Sequence, residues 1–196
     1  MNKMKWIVLT VMVALMVAGC TPGKKYEHRL KRGLTSGIRY DSLFMGISFG
    51  MTENEFFDVC WELNRDYLVK QAIDNMSVEY NMKDELKYPA TMNFYPVFAD
   101  GKIVELPVRF IYKGWAPWNK EQSASKLALD VKHWYEKIYG KGFITIEHPF
   151  KGEAYTKIDG NRRITIYIES DQYVWGIFTD MSAEAEKDSQ QVDKQN

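Results

Sequence analysis

The sequence predicts an α+β fold: an antiparallel sheet of about six to eight strands with two helices packed on one face. Three observations carry that prediction. Two stretches repeat apolar residues near a 3.6-residue period, and several others alternate apolar and polar residues with period two. Each helical stretch precedes a run of strand-like segments, an order that fits two αβ-type units although no repeat of residues accompanies it. Composition agrees, since 45% apolar and 14% aromatic content is ample for one core in a single domain over residues 41–181.

Ahead of that domain, Lys3 and Lys5 precede Trp6 to Ala18, which carries no charge. A positive n-region followed by an apolar h-region is the layout of a secretory signal, here residues 1–19. As a helix the apolar run reaches about 20 Å at about 1.5 Å per residue, short of a hydrocarbon core of about 30 Å. A permanent transmembrane span is therefore not expected.

The run ends in Val17-Ala18-Gly19-Cys20, which resembles the lipobox of bacterial lipoproteins: an aliphatic residue, two small residues and Cys, with Val17 where the family prefers Leu. The chemistry needs a thiol because sulfur takes the diacylglyceryl group, and small residues so that the signal peptidase reaches the backbone. The resemblance implies that Cys20 becomes the lipidated first residue of a mature chain anchored to, and not spanning, a membrane. Thr21 stands where an Asp retains enteric-type lipoproteins in the inner membrane, so the expected location is the outer membrane of a diderm bacterium. Removing Lys3 and Lys5 with the leader leaves 24 cations against 26 acids, a net charge of −2, and no basic excess for binding nucleic acid. Cys60 is then the remaining thiol, so no intramolecular disulfide is expected.

Residues 20–40 read as a flexible tether. Pro22, Gly23, Gly33, Ser36 and Gly37 are turn residues, and Lys24, Lys25, Arg29, Lys31 and Arg32 face only Glu27. The sharper reading of the same cations is a basic collar on anionic headgroups. The first helix opens at Thr52, whose side chain can cap the backbone of Glu55 while Glu55 reaches back, with Met51 and Phe56 spaced as a hydrophobic staple. Phe57, Cys60, Trp61, Leu68 and Ala72 continue it, with Asp58, Glu62 and Asp66 four apart on another face. Cys60, on the apolar side, reads as a core residue.

Period two then takes over in Val78, Tyr80 and Met82, in Leu86 through Phe94, and, after the tight turn Asp100-Gly101, in Val104 through Tyr112. The second helix is expected over about Lys120 to Tyr139, with Asn119 as cap, Ala124, Leu127, Ala128, Val131 and Ile138 as inner stripe and Gly140 as stop. Strands follow at Phe143–Glu147, Tyr155–Ile158, Ile164–Ile168 and Tyr173–Thr179, with Asp159-Gly160-Asn161 as a turn. Residues 182–196 form a polar tail expected to be disordered.

Phe49-Gly50-Met51-Thr52 followed by Phe56 resembles the Gly-Met-Thr helix opening of the small lipoprotein in the outer-membrane barrel-assembly machinery and of β-lactamase-inhibitor-protein-like domains. That resemblance covers under a tenth of the chain. It implies two helices against an antiparallel sheet and a function in binding proteins.

Signals for catalysis are weak: Asp58, Glu62 and Asp66 could pair with other carboxylates across a cleft for acid/base work, but their spacing reads first as a solvated helix face. His28, His133 and His148 make no zinc-ligand spacing with Cys or carboxylates, so no metal or cofactor is expected. No Gly-x-Ser-x-Gly elbow, phosphate-cradling loop or dinucleotide fingerprint occurs. The richest segment for binding is Tyr112-Lys113-Gly114-Trp115-Ala116-Pro117-Trp118-Asn119, where Trp115 and Trp118, with Tyr112, could anchor a protein or stack on a glycan. Trp118, in the staple position before Asn119, is expected to be buried and Trp115 to face solvent. The leading expectation is a non-catalytic, lipid-anchored envelope lipoprotein that binds another envelope protein or is structural. A carbohydrate-binding lipoprotein and a hydrolase are the alternatives.

Overall fold

The computed structural model describes residues 22–74, 76–148 and 152–183. The residues expected to form a signal peptide, 1–19, together with Cys20 and the tail beyond Ala183, lie outside the described residues. The fold is α+β. Strands β1 (Val69–Gln71), β2 (Val78–Met82), β3 (Ala90–Phe94), β4 (Val97–Ala99), β5 (Lys102–Tyr112), β6 (Ile144–His148), β7 (Gly152–Asp159), β8 (Arg162–Ile168) and β9 (Val174–Asp180) form one antiparallel sheet. Its order is β1-β2-β3-β5-β9-β8-β7-β6, and β4 pairs with the first half of β5. The nine strands among the described residues exceed the expected count because β1 and β4 are three residues each, too short to display an alternation.

Register sorts the sheet into two faces. Val78, Tyr80 and Met82 stand opposite Phe94, Met92 and Ala90, which stand opposite Val108, Phe110 and Tyr112. The row continues through Phe178, Gly176 and Val174 to Ile164, Ile166 and Ile168. On this inner face lie helices α2 (Glu53–Arg65) and α3 (Ala124–Tyr139), and residues of both join the sheet in one hydrophobic core.

Helix α2 starts as the sequence indicates. The Thr52 side chain accepts from the Glu55 N–H, and the Glu55 carboxylate accepts from the Thr52 N–H at 2.7 Å. Gly50 turns the chain into it with φ 79°, a conformation that favours glycine. The Gly50 N–H donates to Ile103 O and Met51 O accepts from the Ile103 N–H, so Phe49-Gly50-Met51 is stitched onto β5. The helix ends at Arg65 and does not reach Ala72. Leu68 N–H donates to Leu63 O and Tyr67 N–H to Asn64 O, the pattern of a Schellman stop, with Tyr67 at φ 57° in the place glycine usually takes. Because Tyr67 gives no sequence signal for a stop, Leu68 and Ala72 read as helix when they in fact flank β1.

Helix α3 also begins later than its sequence suggests. A 3₁₀ turn covers Lys120–Gln122, and Ser123 occupies the N-cap position. The Asn119 side chain instead donates to Gly114 O at 3.0 Å, closing its own loop. Ala124, Leu127, Ala128 and Val131 are buried as expected, but the stripe continues through Tyr135, while Ile138 is half exposed.

The stretch expected to be a flexible tether carries helix α1 (Pro22–Thr35), packed on the opposite, outer face against β6 and β7. Arg29 donates to Gly142 O, and Arg163, on that outer face, donates to the Tyr26 hydroxyl at 3.1 Å. At Gly33 the helix comes so close that a Cβ would sit 2.7 Å from Gly160 O and 3.0 Å from the Ile158 side chain. Tyr26, Leu30, Gly33 and Leu34 recur every three or four residues, an apolar stripe masked in the sequence by the surrounding turn residues and cations.

Candidate functional site

The tryptophan loop sits between β5 and the 3₁₀ turn, and the exposure of its two rings is the reverse of the sequence expectation. Trp118 is 83% exposed. Trp115 packs against the core and its indole N–H donates to Asp171 O at 3.0 Å, tying the loop to the turn before β9. Tyr112 is buried and its hydroxyl donates to Asp130 on α3. Burial first, and then the Asp130 carboxylate, push that phenol well above its ordinary range, so Tyr112 is a core residue and not a contact. Once Asn119 closes its own loop, nothing places Trp118 in a staple, and Trp115 fills the gap at the core edge.

A different surface gathers exposed apolar side chains around the end of α2 and the edge of the sheet. Phe57 (46% exposed), Trp61 (65%), Leu68 (50%), Ile73 (94%) and Met76 (79%) lie on α2, beside β1 and in the β1–β2 turn. Of these, Phe57, Trp61 and Met76 line a groove of about 410 Å³ together with Cys60, Val69 and Tyr95. Helical period explains its origin: Phe56 faces inward at the core while Phe57 and Trp61, four apart, share the next face. Arg65 lies over the Trp61 ring at 5.4 Å, a cation–π contact at the margin of the groove. The sequence assigned Phe57, Trp61 and Leu68 to the core because their spacing is right for it. The short β1 does not extend far enough to cover them.

Tyr67 adjoins this surface at 95% exposure and, with Leu68, Tyr80 and Glu85, lines a second depression of about 590 Å³. The Tyr80 hydroxyl donates to Glu85. Burial works against the Glu85 carboxylate, but hydrogen bonds from Tyr80 and from the backbone N–H groups of Asp84 and Lys83 outweigh it and hold its pKa below normal. Tyr80 moves the other way, pushed up to about 12 by burial and by that carboxylate. Cys60, half buried at the groove floor, is pushed up to about 11 by burial and stays a thiol.

Charge divides between the helices. Along α2, Glu53, Glu55, Asp58 and Glu62 face Arg65 alone, net −3. A polar cluster at the other end of the sheet is structural: Arg39 pairs with Asp41 at 2.8 Å and Asp180 at 2.9 Å, and Asn161 donates to Asp41 at 2.9 Å and to Asp180 at 3.2 Å. It fastens the segment between α1 and α2 across the end of β8 and β9.

Among the described residues no group of three or more His, Cys, Asp or Glu is placed to hold a metal ion, and no helix is long and apolar enough to cross a membrane. His28 and His133 are exposed. No family model matches the chain, and no curated protein or solved structure matches it. The lipobox and Gly-Met-Thr resemblances therefore rest on those motifs alone.

Proposed function

We propose that this chain is a lipid-anchored bacterial envelope lipoprotein whose α+β domain binds another envelope protein through the groove beside α2. The observation that carries the reading is Tyr67. A non-glycine residue in the left-handed region costs about 1–2 kcal/mol relative to glycine, and here its side chain is almost wholly in solvent, so no packing repays the strain. The helix-stop hydrogen bonds of Tyr67 and Leu68 hold the backbone there, and a solvent-exposed tyrosine kept in the place of glycine fits a side chain retained for a partner contact. Clustered Phe57, Trp61, Leu68, Ile73 and Met76 supply the aromatic and aliphatic anchors that protein interfaces concentrate at their centres. The acidic flank of α2 favours a partner segment carrying Lys or Arg beside its apolar residues, and disfavours an anionic lipid surface. A glycan reading needs a flat aromatic platform, and Trp115, tucked against the core, leaves Trp118 without its loop partner.

Tyr67→Gly tests this directly. Urea denaturation is expected to show stabilisation of about 1 kcal/mol, while a photo-crosslinker at Trp61 in intact cells loses its discrete protein adduct. A crosslinker at Trp118 serves as control, and Asp58→Lys with Glu62→Lys should abolish the adduct as well. A stabilised Tyr67→Gly protein that keeps the adduct, or adducts formed only with lipid, would overturn the reading. The anchor is checked separately: Cys20→Ala should abolish labelling by radioactive fatty acid.

A further inference from the structure

We infer that the outward face of α1 is a membrane-orienting surface that lies on anionic lipid headgroups, turning the groove beside α2 away from the bilayer. The inference rests in part on the lipid anchor at Cys20 and adds a contact that the anchor alone does not require.

Helix α1 is amphipathic in a particular way. Tyr26, Arg29, Leu30, Gly33 and Leu34 turn toward the domain, while Lys24, Lys25, His28, Lys31 and Arg32 are exposed. With Arg29 included the helix carries five Lys or Arg against Glu27, net +4. A cationic face on a free linker would lose orientation on binding. Here the face is already fixed, because Gly33 abuts Gly160 and Ile158, Arg29 is bonded to Gly142, and Tyr26 is bonded to Arg163.

Reach makes the contact hard to avoid. Pro22 opens the helix two residues after Cys20, so a lipidated Cys20 holds the first turn within about 7 Å of the anchor. That is no more than the roughly 8 Å over which charges act at physiological salt. The helix is 14 residues long, about 21 Å, so lying flat brings Lys31 and Arg32 to the same depth as Lys24 and Lys25, whereas standing upright wastes them.

The opposite face of the sheet completes the argument. Helix α2, at net −3, lies on the inner face, and α3 is close to balanced, with Lys126, Lys132 and Lys137 against Asp130 and Glu136. A negative surface attracts one side of this molecule and repels the other, so the field fixes which face looks down. Headgroups also avoid the desolvation that a tight protein partner would impose on these long, separately exposed lysines.

The experiment uses the acylated protein purified from membranes and reconstituted into vesicles of phosphatidylcholine, with or without phosphatidylserine. Lysine reactivity is read by mass spectrometry after brief acetylation. Lys24, Lys25 and Lys31 should react several-fold more slowly with phosphatidylserine present, Lys126 and Lys137 should not change, and high salt should erase the difference. The combined Lys24→Gln, Lys31→Gln, Arg32→Gln protein should remain acylated yet lose the protection of Lys25. Equal reactivity in both vesicles, or protection of Lys126 and Lys137, overturns the proposal. So does protection of the α1 lysines in native membranes but not in phosphatidylserine vesicles, which would identify a protein partner instead. The mass of the N-terminal peptide reports acylation independently. Without an acyl group, the same reactivity is read on protein added to preformed vesicles.

Discussion

Tyr135 is the core position where a single atom should be dispensable. Its ring is fully buried and meets Phe110, Tyr139 and Phe178 edge-on at centroid distances of 6.1, 5.4 and 5.3 Å, yet its hydroxyl has no hydrogen-bond partner among the described residues. A buried hydroxyl left unpaired costs about 1–3 kcal/mol, and the small gap left by deleting it returns part of that. Tyr135→Phe should therefore stabilise by about 1 kcal/mol, read as a higher urea midpoint at unchanged slope and a melting temperature raised by about 2–4 °C. Gly176 on β9 provides the cross-check. A Cβ there would lie 2.9 Å from the Tyr135 hydroxyl, 3.1 Å from Tyr135 Cε2 and 3.2 Å from Phe110 Cε2. Alone, Gly176→Ala overpacks the site at a cost of about 1–3 kcal/mol. In the Tyr135→Phe background the nearest obstacle is gone and only the ring edges at 3.1 and 3.2 Å remain, so the overpacking cost of Gly176→Ala should fall by about 1 kcal/mol. The two substitutions should couple by about 1 kcal/mol or more. Additive effects, or Tyr135→Phe destabilising by about 1 kcal/mol, would show that the hydroxyl is bonded and that the reasoning fails.

Two further outcomes follow from the site geometry. Trp115→Ala should cost about 1–3 kcal/mol by losing core packing and the bond to Asp171 O, whereas Trp118→Ala should stay within about 0.5 kcal/mol in the same urea titration. Equal losses at both would place both rings in the core. Burial works against the Asp180 carboxylate, but hydrogen bonds from Ser182, Asn161 and Arg39 outweigh it and hold its pKa below the ordinary 3.8. Because the folded pKa is the lower one, its contribution is present above the unfolded value and is lost as pH falls from about 4 through the folded value. Asp180→Asn should therefore flatten the stability profile below about pH 4, and an unchanged acid limb would refute the assignment.

What the sequence displayed was the part of the fold written in period and punctuation. The capping box at Thr52 and Glu55, the Asp100-Gly101 turn joining β4 to β5, the long β5 and the inner stripe Ala124 to Val131 all carry their cause in adjacent residues. The omissions share a physical reason, which is that tertiary context overrode a local signal. Helix α1 forms despite two glycines because β6, β7 and Ile158 give it a surface, and one glycine is what lets it come close. Asn119 looks like a cap until the closing of its own loop claims its amide. The end of α2 was illegible because Tyr67 occupies a conformation that nothing in its chemistry announces. The site followed the same division. Phe57 and Trp61 were legible as one face of a helix, but whether that face is covered depends on where β1 stops.

That dependence explains why the two proposed surfaces lie on opposite sides of the sheet. A sheet packed by helices on one face leaves two places where apolar or charged side chains can remain uncovered: the unpacked face and the margin of the packed one. Helix α1 takes the unpacked face over β6 and β7 and turns its cations outward, and α2 overhangs the short margin at β1 and leaves Phe57 and Trp61 in water. Seven inter-strand steps separate β1 from β6 in the sheet order, about 34 Å at about 4.8 Å per step, so a bilayer and a partner protein can be held at once without competing for the same side chains. If the basic face of α1 sets orientation, neutralising it should lower the yield of the Trp61 crosslink without touching the groove itself. An unpacked sheet face and an unfinished edge are ordinary consequences of this architecture. Opposite charge on the two, +4 on α1 and −3 on α2, is not required by packing, and it is the feature that ties the membrane side and the partner side into one reading.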